Sequence, residues 1–477
     1  MAEIVSLSAV ELRRRTGSNE ITPTELVEAC IDRIESVNPQ VNAVITTNYV
    51  EARRTAKQAT SDLRSGGALP PLHGLPVVVK DLSDTRGLRT TYGSRCFADH
   101  VPESDSILVE RLRSAGAIVL GKTNTPEFGA GANTSNQVFG ATGNPFNPNV
   151  TSGGSSGGSA AALACDMAPL ATGSDLGGSL RIPASFCGVV GMRPSPGLVP
   201  SKSHVSGFSQ LWTDGPMARS VEDLALLLSS ISAFDPRDPL STPASRIDFD
   251  DFYKLKDLTG MRVGFSTDLG VAEVDQEIAT LFDARKADIG RHFHNAEDVN
   301  LELSDATEIF RVLRAESLYA AYGELVSKEP EMIGSNVRGN ILEAAQLSLL
   351  DTARADAAHT ALYRRFQTVF DDIDYLVCPA TAVSPFPVEE NHPVEINGRP
   401  LDGYFAWYAI TWALSLTGCP IVTIPCGFDH NNMPFGIQIV GKRFSDLDLL
   451  QLSHALETAL ARDGLGRRSA TIRTNAA

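Results

Sequence analysis

The chain offers no recognisable ligands for a catalytic metal. Neither HExxH nor CxxC occurs, and acidic residues do not cluster at ligand spacing. A metal-activated water is left without support, and neither metal nor cofactor is expected. Long apolar runs are also missing. No stretch of about twenty apolar residues is available to span a bilayer, and Met1-Ala2-Glu3-Ile4 lacks the basic start of a secretory signal. Positive charge is scarce: 41 Lys and Arg stand against 57 Asp and Glu, a formal net charge of −16. Such a surface argues against nucleic acid and anionic membranes as partners, because both reward basic faces. The seven cysteines are odd in number and widely spaced, and Cys165, Cys187 and Cys378 sit among apolar neighbours. They read as small buried hydrophobes rather than a disulfide framework. No charge block, repeat or low-complexity tract divides the 477 residues, so one domain over 1–477 is expected. The expected setting is cytoplasmic, with a small molecule as partner; self-association into a homo-oligomer is left open.

What the chain does have is serine beside glycine in an unusual arrangement. Thr151 to Ala184 holds two Gly-Gly-Ser turns, Gly153-Gly154-Ser155 and Gly177-Gly178-Ser179. Paired glycines admit backbone conformations closed to other residues and clear side chains away from the hydroxyl and the nearby N–H groups. A hydrolase needs both an accessible nucleophile and bare N–H donors for an oxyanion. A flexible Gly/Ser linker has the same composition. However, the first turn runs directly into Ala160-Ala161-Ala162-Leu163-Ala164, a helix former. The second lies between the strand-like Pro169 to Thr172 and the packing segment Arg181 to Ala184. Neither context suits a linker.

A serine needs a base. The histidines make no convincing pairing: His73 precedes a strand, His204 lies in a polar loop, and His292 and His294 flank Phe293 as on one strand face. Lys80 is the better candidate. It ends the buried-strand pattern Leu75 to Val79, where desolvation favours the neutral amine. The same residues also allow a lysine that reaches the surface and pairs with Asp81. One rival motif stands upstream. Gly116 to Thr123 matches G-x-x-x-x-G-K-T, the phosphate-loop pattern. Its inner residues Ala-Ile-Val-Leu are themselves a strand and a helical pattern precedes it, so the context is inverted and nucleotide binding is not expected.

The set Lys80, Gly153 to Ser159 and Gly173 to Ala184 resembles the amidase signature family. The likeness continues through Gly74–Asp81, Gly121–Phe128, Gly140–Pro145, Cys187–Pro194, Gly215–Ser220, Gly418–Phe428 and Met433–Gly441. Its core motifs fall in 74–220 and 404–441, and it is weakest over about 248–397. The resemblance implies that Ser179 is the acyl-forming nucleophile, Ser155 the bridging serine and Lys80 the terminal base. The residues alone do not separate Ser155 from Ser156. It also implies a cis peptide at Gly154–Ser155. The N–H groups of Leu176, Gly177, Gly178 and Ser179 would face the oxyanion, and Asp175 and Arg181 would pair to fix the turn. The expected substrate is a small-molecule amide, with esters and carbamates as further candidates. A second reading is the glutaminase-type component of a transamidating amidotransferase complex.

Helix and strand patterns alternate along the chain, which argues for an α/β fold. Thr22-Pro23-Thr24-Glu25 reads as a capping box opening a helix. Strands are expected at 77–80, 117–120, 261–265, 375–378, 421–425 and 436–440, and one long helix over about 344–370. The resemblance implies a single domain with a central mixed, mostly parallel twisted sheet covered by helices. Gly129 and Gly131 lie in the small-residue segment 128–132, where the resemblance puts substrate contacts. The aromatic run Tyr404 to Trp412 reads either as a pocket wall or as a core helix. Neither segment carries an arginine or lysine, so a bulky, uncharged amide is expected.

Overall fold

Short runs rich in valine and isoleucine, bounded by glycine and proline, become the strands of one sheet. The computed structural model describes every residue except Met1, Gly66, Ser203, His204, Ala244, Ser245, Leu255, Thr471 and 473–477; His204, read above as a loop histidine, therefore lies outside the described residues. Eleven strands form the sheet: β1 (Val44–Thr47), β2 (Pro76–Lys80), β3 (Ile118–Thr123), β4 (Leu170–Asp175), β5 (Val190–Arg193), β6 (Thr213–Ala218), β7 (Arg262–Phe265), β8 (Asn295–Asp298), β9 (Tyr375–Pro379), β10 (Ile421–Phe428) and β11 (Pro434–Val440). Their order is β1-β3-β2-β4-β6-β5-β10-β11-β9-β7-β8.

The sheet is mixed, with helices packed on it. Parallel neighbours form two blocks, β3-β2-β4 and β9-β7-β8. The other six pairings are antiparallel. The first parallel block builds the site. Strand β2 is flanked on both sides and wholly buried, which is why it reads as unbroken valine. Lys80 and Asp175 end β2 and β4, and the 124–134 loop leaves the end of β3. Ligands of open α/β sheets gather at such carboxyl ends.

The capping box forms as read. Thr22 Oγ1 accepts from the Glu25 N–H at 3.1 Å while the Glu25 carboxylate accepts from the Thr22 N–H at 2.8 Å, opening the helix Pro23–Val41. Each Gly-Gly-Ser turn leads into a short helix buried along its length, Gly157–Ala164 and Arg181–Cys187. A helix with no wet face has no use for charge, hence the alanines of the first. Three expectations change. The helix expected over about 344–370 starts later, at Leu349, and runs to Gln367, with the short helix Val369–Asp372 after it. His292 and His294 sit in turn and bend ahead of β8 rather than on a strand. Strand β3 runs on to Thr123, so the phosphate-loop match is sheet, and its Lys122 is buried against Thr85 and Thr90 hydroxyls at 3.1 Å each and the Ser83 carbonyl.

The turn after β4 is held by one carboxylate. Asp175 accepts from Arg181 Nε and Nη2 at 3.0 Å each, from the Gly178 N–H at 2.8 Å and from the Leu180 N–H at 3.1 Å. Arg193 Nη1 adds a contact at 3.3 Å. Burial alone would raise the pKa of Asp175, but the two guanidinium groups outweigh it and hold the carboxyl well below its usual range. Arg181 also reaches Thr411 O, Gln438 Oε1 and Ser415 Oγ at 2.7–2.8 Å, tying the turn to the C-terminal motifs. Asp175→Asn leaves two buried arginines with no counter-charge. It should destabilise the protein by about 3–5 kcal/mol, read as a lowered urea or thermal midpoint. An unchanged midpoint would remove this cluster as the support of the turn.

Candidate active site

Lys80 stands at the end of β2 with 1% of its surface exposed. Its Nζ lies 2.7 Å from Ser155 Oγ, 2.9 Å from Ser156 Oγ and 3.0 Å from Ser174 Oγ. It does not pair with Asp81, which instead accepts from the Thr91 N–H at 3.0 Å and hydroxyl at 2.6 Å. Burial brings the Lys80 ammonium down to about 7, with the charges of Asp214 and Asp175 opposing the shift. At neutral pH the amine is thus poised between its two forms, as a proton acceptor must be.

The two adjacent serines, alike in sequence, differ in surroundings. Ser156 Oγ faces inward to the Ser174 backbone, N and O both at 3.4 Å. Ser155 Oγ faces Gly129: a Cβ on Gly129 would lie 3.4 Å from it and 2.9 Å from Leu82 Cδ1, and the residue has φ +72°. An alanine there would be strained and would crowd the Ser155 hydroxyl. The peptide Gly154–Ser155 is cis. Gly154 lets two backbones meet, since its Cβ would fall 2.9 Å from Ala132 C.

Ser179 is half-buried and lines a narrow cavity of about 30 Å³ together with Gly129, Gly131, Leu176 and Gly177. The two turns meet through the Ser156 N–H, which donates to Ser179 O at 3.2 Å. Among the described residues the Ser179 hydroxyl makes no hydrogen bond, so Lys80 and Ser155 are joined in this structure but Ser155 and Ser179 are not. Of the four N–H groups expected to face an oxyanion, Gly178 is committed elsewhere, to Asp175 Oδ1. Those of Leu176, Gly177 and Ser179 donate to no described residue. No histidine lines this cavity. His73 bonds to Ala59 O at 3.0 Å, and His292 to Asp463 at 2.8 Å.

The narrow cavity adjoins a larger, mostly apolar chamber of about 320 Å³, walled by Leu82, Asp84, Tyr92, Phe97 and Tyr322, with Phe128, Leu176, Trp212 and Leu318 shared between them. The aromatic run divides its roles. Tyr408 lines the narrow cavity, while Trp412 is core, stacked on Phe310 at 4.8 Å. Several cavity residues escaped the sequence reading, Trp212, Phe310 and Leu318 among them; the charged one is Arg314, from the helix Ala306–Lys328, 4% exposed. It comes from the segment with the least motif character, and its helical spacing gave no sign of its direction.

The chain matches the Amidase family model over residues 25–450. It is 34% identical over 462 residues to an acylamidase of Rhodococcus erythropolis, covering 94% of this chain and 95% of that protein. It is 34% identical over 486 residues to the A subunit of glutamyl-tRNA(Gln) amidotransferase from Halothermothrix orenii, covering 96% and 98%. Its fold superposes on a bacterial aryl acylamidase of the amidase signature enzymes with TM-score 0.86 and 31% identity, over 97% of this chain and 99% of that one. A lysine sealed among serine hydroxyls behind a Gly-Gly-Ser turn thus occurs in a chain that belongs to the amidase signature family, and the protein is an amide-hydrolysing enzyme.

Proposed function

We propose that this amidase works through a Ser179 acyl-enzyme, with Ser155 and Lys80 relaying the proton. Neutral Lys80 takes the Ser155 proton, Ser155 takes the Ser179 proton, and Ser179 Oγ bonds to the amide carbon. The carbonyl π electrons move to oxygen, where the free N–H groups of Leu176, Gly177 and Ser179 receive the charge. The proton returns along the same chain to the nitrogen, the C–N bond breaks and the amine leaves. Water, deprotonated by the same relay, then cleaves the acyl ester to the acid. One observation carries this reading: the Lys80 amine, 2.7 Å from Ser155 Oγ, is buried with no carboxylate on it.

The apolar chamber supports an amide bearing an apolar or aryl group. A chamber of about 320 Å³ suits one substituted ring. The acyl-enzyme chemistry extends to esters and carbamates. The glutaminase-type reading draws on the likeness to the amidotransferase relative, and it differs in needing a partner for activity.

Ser179→Ala should lower kcat by about 10⁴-fold or more, and a fluorophosphonate should label Ser179; stable labelling at Ser155 would reverse their roles. The base must be neutral to accept a proton, so kcat/KM should fall about tenfold per pH unit below about 7 and level off above it. Lys80→Ala should be almost inactive, and a flat profile through this range would discard the lysine base. The purified chain alone should hydrolyse an anilide with a higher kcat/KM than glutamine. The reverse order, or silence until a partner is added, would favour the amidotransferase reading.

A further inference from the structure

Six cationic side chains fold to less than a tenth exposed among the described residues: Lys80, Lys122, Arg181, Arg193, Arg219 and Arg314. Four have a carboxylate within 4.0 Å. Lys122 has Asp81, Arg181 and Arg193 share Asp175, and Arg219 has Asp166. Lys80 and Arg314 have none among the described residues. Lys80, brought down to about 7 by burial, can give up its charge near neutral pH, as the proposed base must. A guanidinium does not, so Arg314 holds a positive charge in a buried place with no counter-ion.

Its setting is specific. Nη1 donates to Asn340 Oδ1, and Asn340 is itself fixed through Nδ2 to Asn336 O at 2.6 Å and Tyr404 Oη at 2.9 Å. The guanidinium carbon lies 4.7 Å from the Tyr404 ring centre and 5.6 Å from that of Phe405. The two aromatic rings flank the guanidinium, the one acceptor takes an N–H of Nη1, and Nε and Nη2 make no hydrogen bond among the described residues. The carboxylate whose charge reaches it, Glu343, is bound to Arg311 at 2.6 Å. Arg314 lines the same narrow cavity as Ser179, alongside Phe310, Ile182 and Tyr408. A planar donor edge, left open in an apolar wall, matches a carboxylate, which it can grip with two parallel hydrogen bonds. In that low-dielectric surround an unpaired charge is costly, and an anionic ligand relieves the cost.

We propose that Arg314 binds a carboxylate on the acyl half of the substrate. The preferred amide is then the monoamide of a short dicarboxylic acid, short because the cavity shared by Ser179 and Arg314 is only about 30 Å³. Its apolar or aryl amine occupies the larger chamber. This rests on the Ser179 acyl-enzyme reading and replaces the uncharged substrate that the sequence segments suggested.

The test compares two 4-nitroanilides of equal length, succinyl and butyryl, which differ in a terminal carboxylate against a methyl. Wild type should favour the succinyl compound in kcat/KM by about a hundredfold or more, as for a site whose polar group is left unpaired by the analogue. In Arg314→Met the ratio should collapse to about one, and Arg314→Lys should keep part of it. Succinate should slow fluorophosphonate labelling of Ser179 in wild type and fail to do so in Arg314→Met. A wild-type ratio at or below one overturns the proposal without any variant, and so does a ratio that survives in Arg314→Met. If Ser179 is labelled and butyryl anilide is cleaved while the ratio stays flat, only the Arg314 assignment falls. If Ser179 is not labelled and neither anilide is cleaved, the acyl-enzyme reading falls and the assignment with it.

Discussion

A lysine amine sealed from water and from every carboxylate is the constraint around which this protein is arranged. An ammonium in such a place loses hydration that nothing ionic replaces, so its proton is held loosely, at about 7. Three serine hydroxyls from two separate stretches of chain compensate for the lost water, and each stretch needs its own support. Ser174 comes with β4, whose pairing to β2 puts it beside Lys80. Ser155 and Ser156 come with a turn that fits only because Gly154 lets it meet the backbone of residues 132–133. The fold around β2 can be understood as the means of bringing those hydroxyls to one amine.

The neighbouring turn uses the opposite electrostatic device. Where Lys80 is buried without a partner, Asp175 is buried with two arginines and two backbone donors. The carboxylate therefore stays charged, and the turn stays rigid. By drawing the Gly178 N–H to itself it also sorts the donors of the turn. The N–H groups of Leu176, Gly177 and Ser179 are left without a protein acceptor among the described residues, and the side chain of Ser179 stands at the cavity wall. One residue thus links the C-terminal motifs, through Arg181, to the cavity that Ser179 lines.

Legibility in the sequence followed how local each constraint is. The Thr22–Glu25 capping box, the valine strand β2 and the helix after each glycine turn depend on neighbours a few residues away, and they fold as read. The start of the helix at Leu349 and strand β8 did not show. The helix start depends on the Ser348 cap, and β8 is fully exposed with the sequence Asn-Ala-Glu-Asp, so it carries no apolar alternation. The choice between Ser155 and Ser156 could not be made from sequence, because both follow the same glycines. In the fold both hydroxyls touch Lys80, but their surroundings differ, with Gly129 beside Ser155 Oγ and the Ser174 backbone beside Ser156 Oγ. Arg314 was invisible for a related reason. A helical arginine gives no hint of direction until the helix Ser335–Ala344 and the Tyr404 ring are packed against it.

By itself the sequence determined the chemistry's vocabulary. Two glycine-framed serines, a lysine ending an apolar strand and an acidic residue paired with an arginine six positions on are all legible in one dimension, since each is written in contiguous residues whose conformational limits are intrinsic. Only the tertiary structure decided which hydroxyls meet Lys80, which N–H groups stay free, and that a cation from a distant helix lines the cavity. Those outcomes are set by burial and by contacts between segments far apart in the chain, where the same side chain is a solvated charge or a desolvated one according to what packs on it.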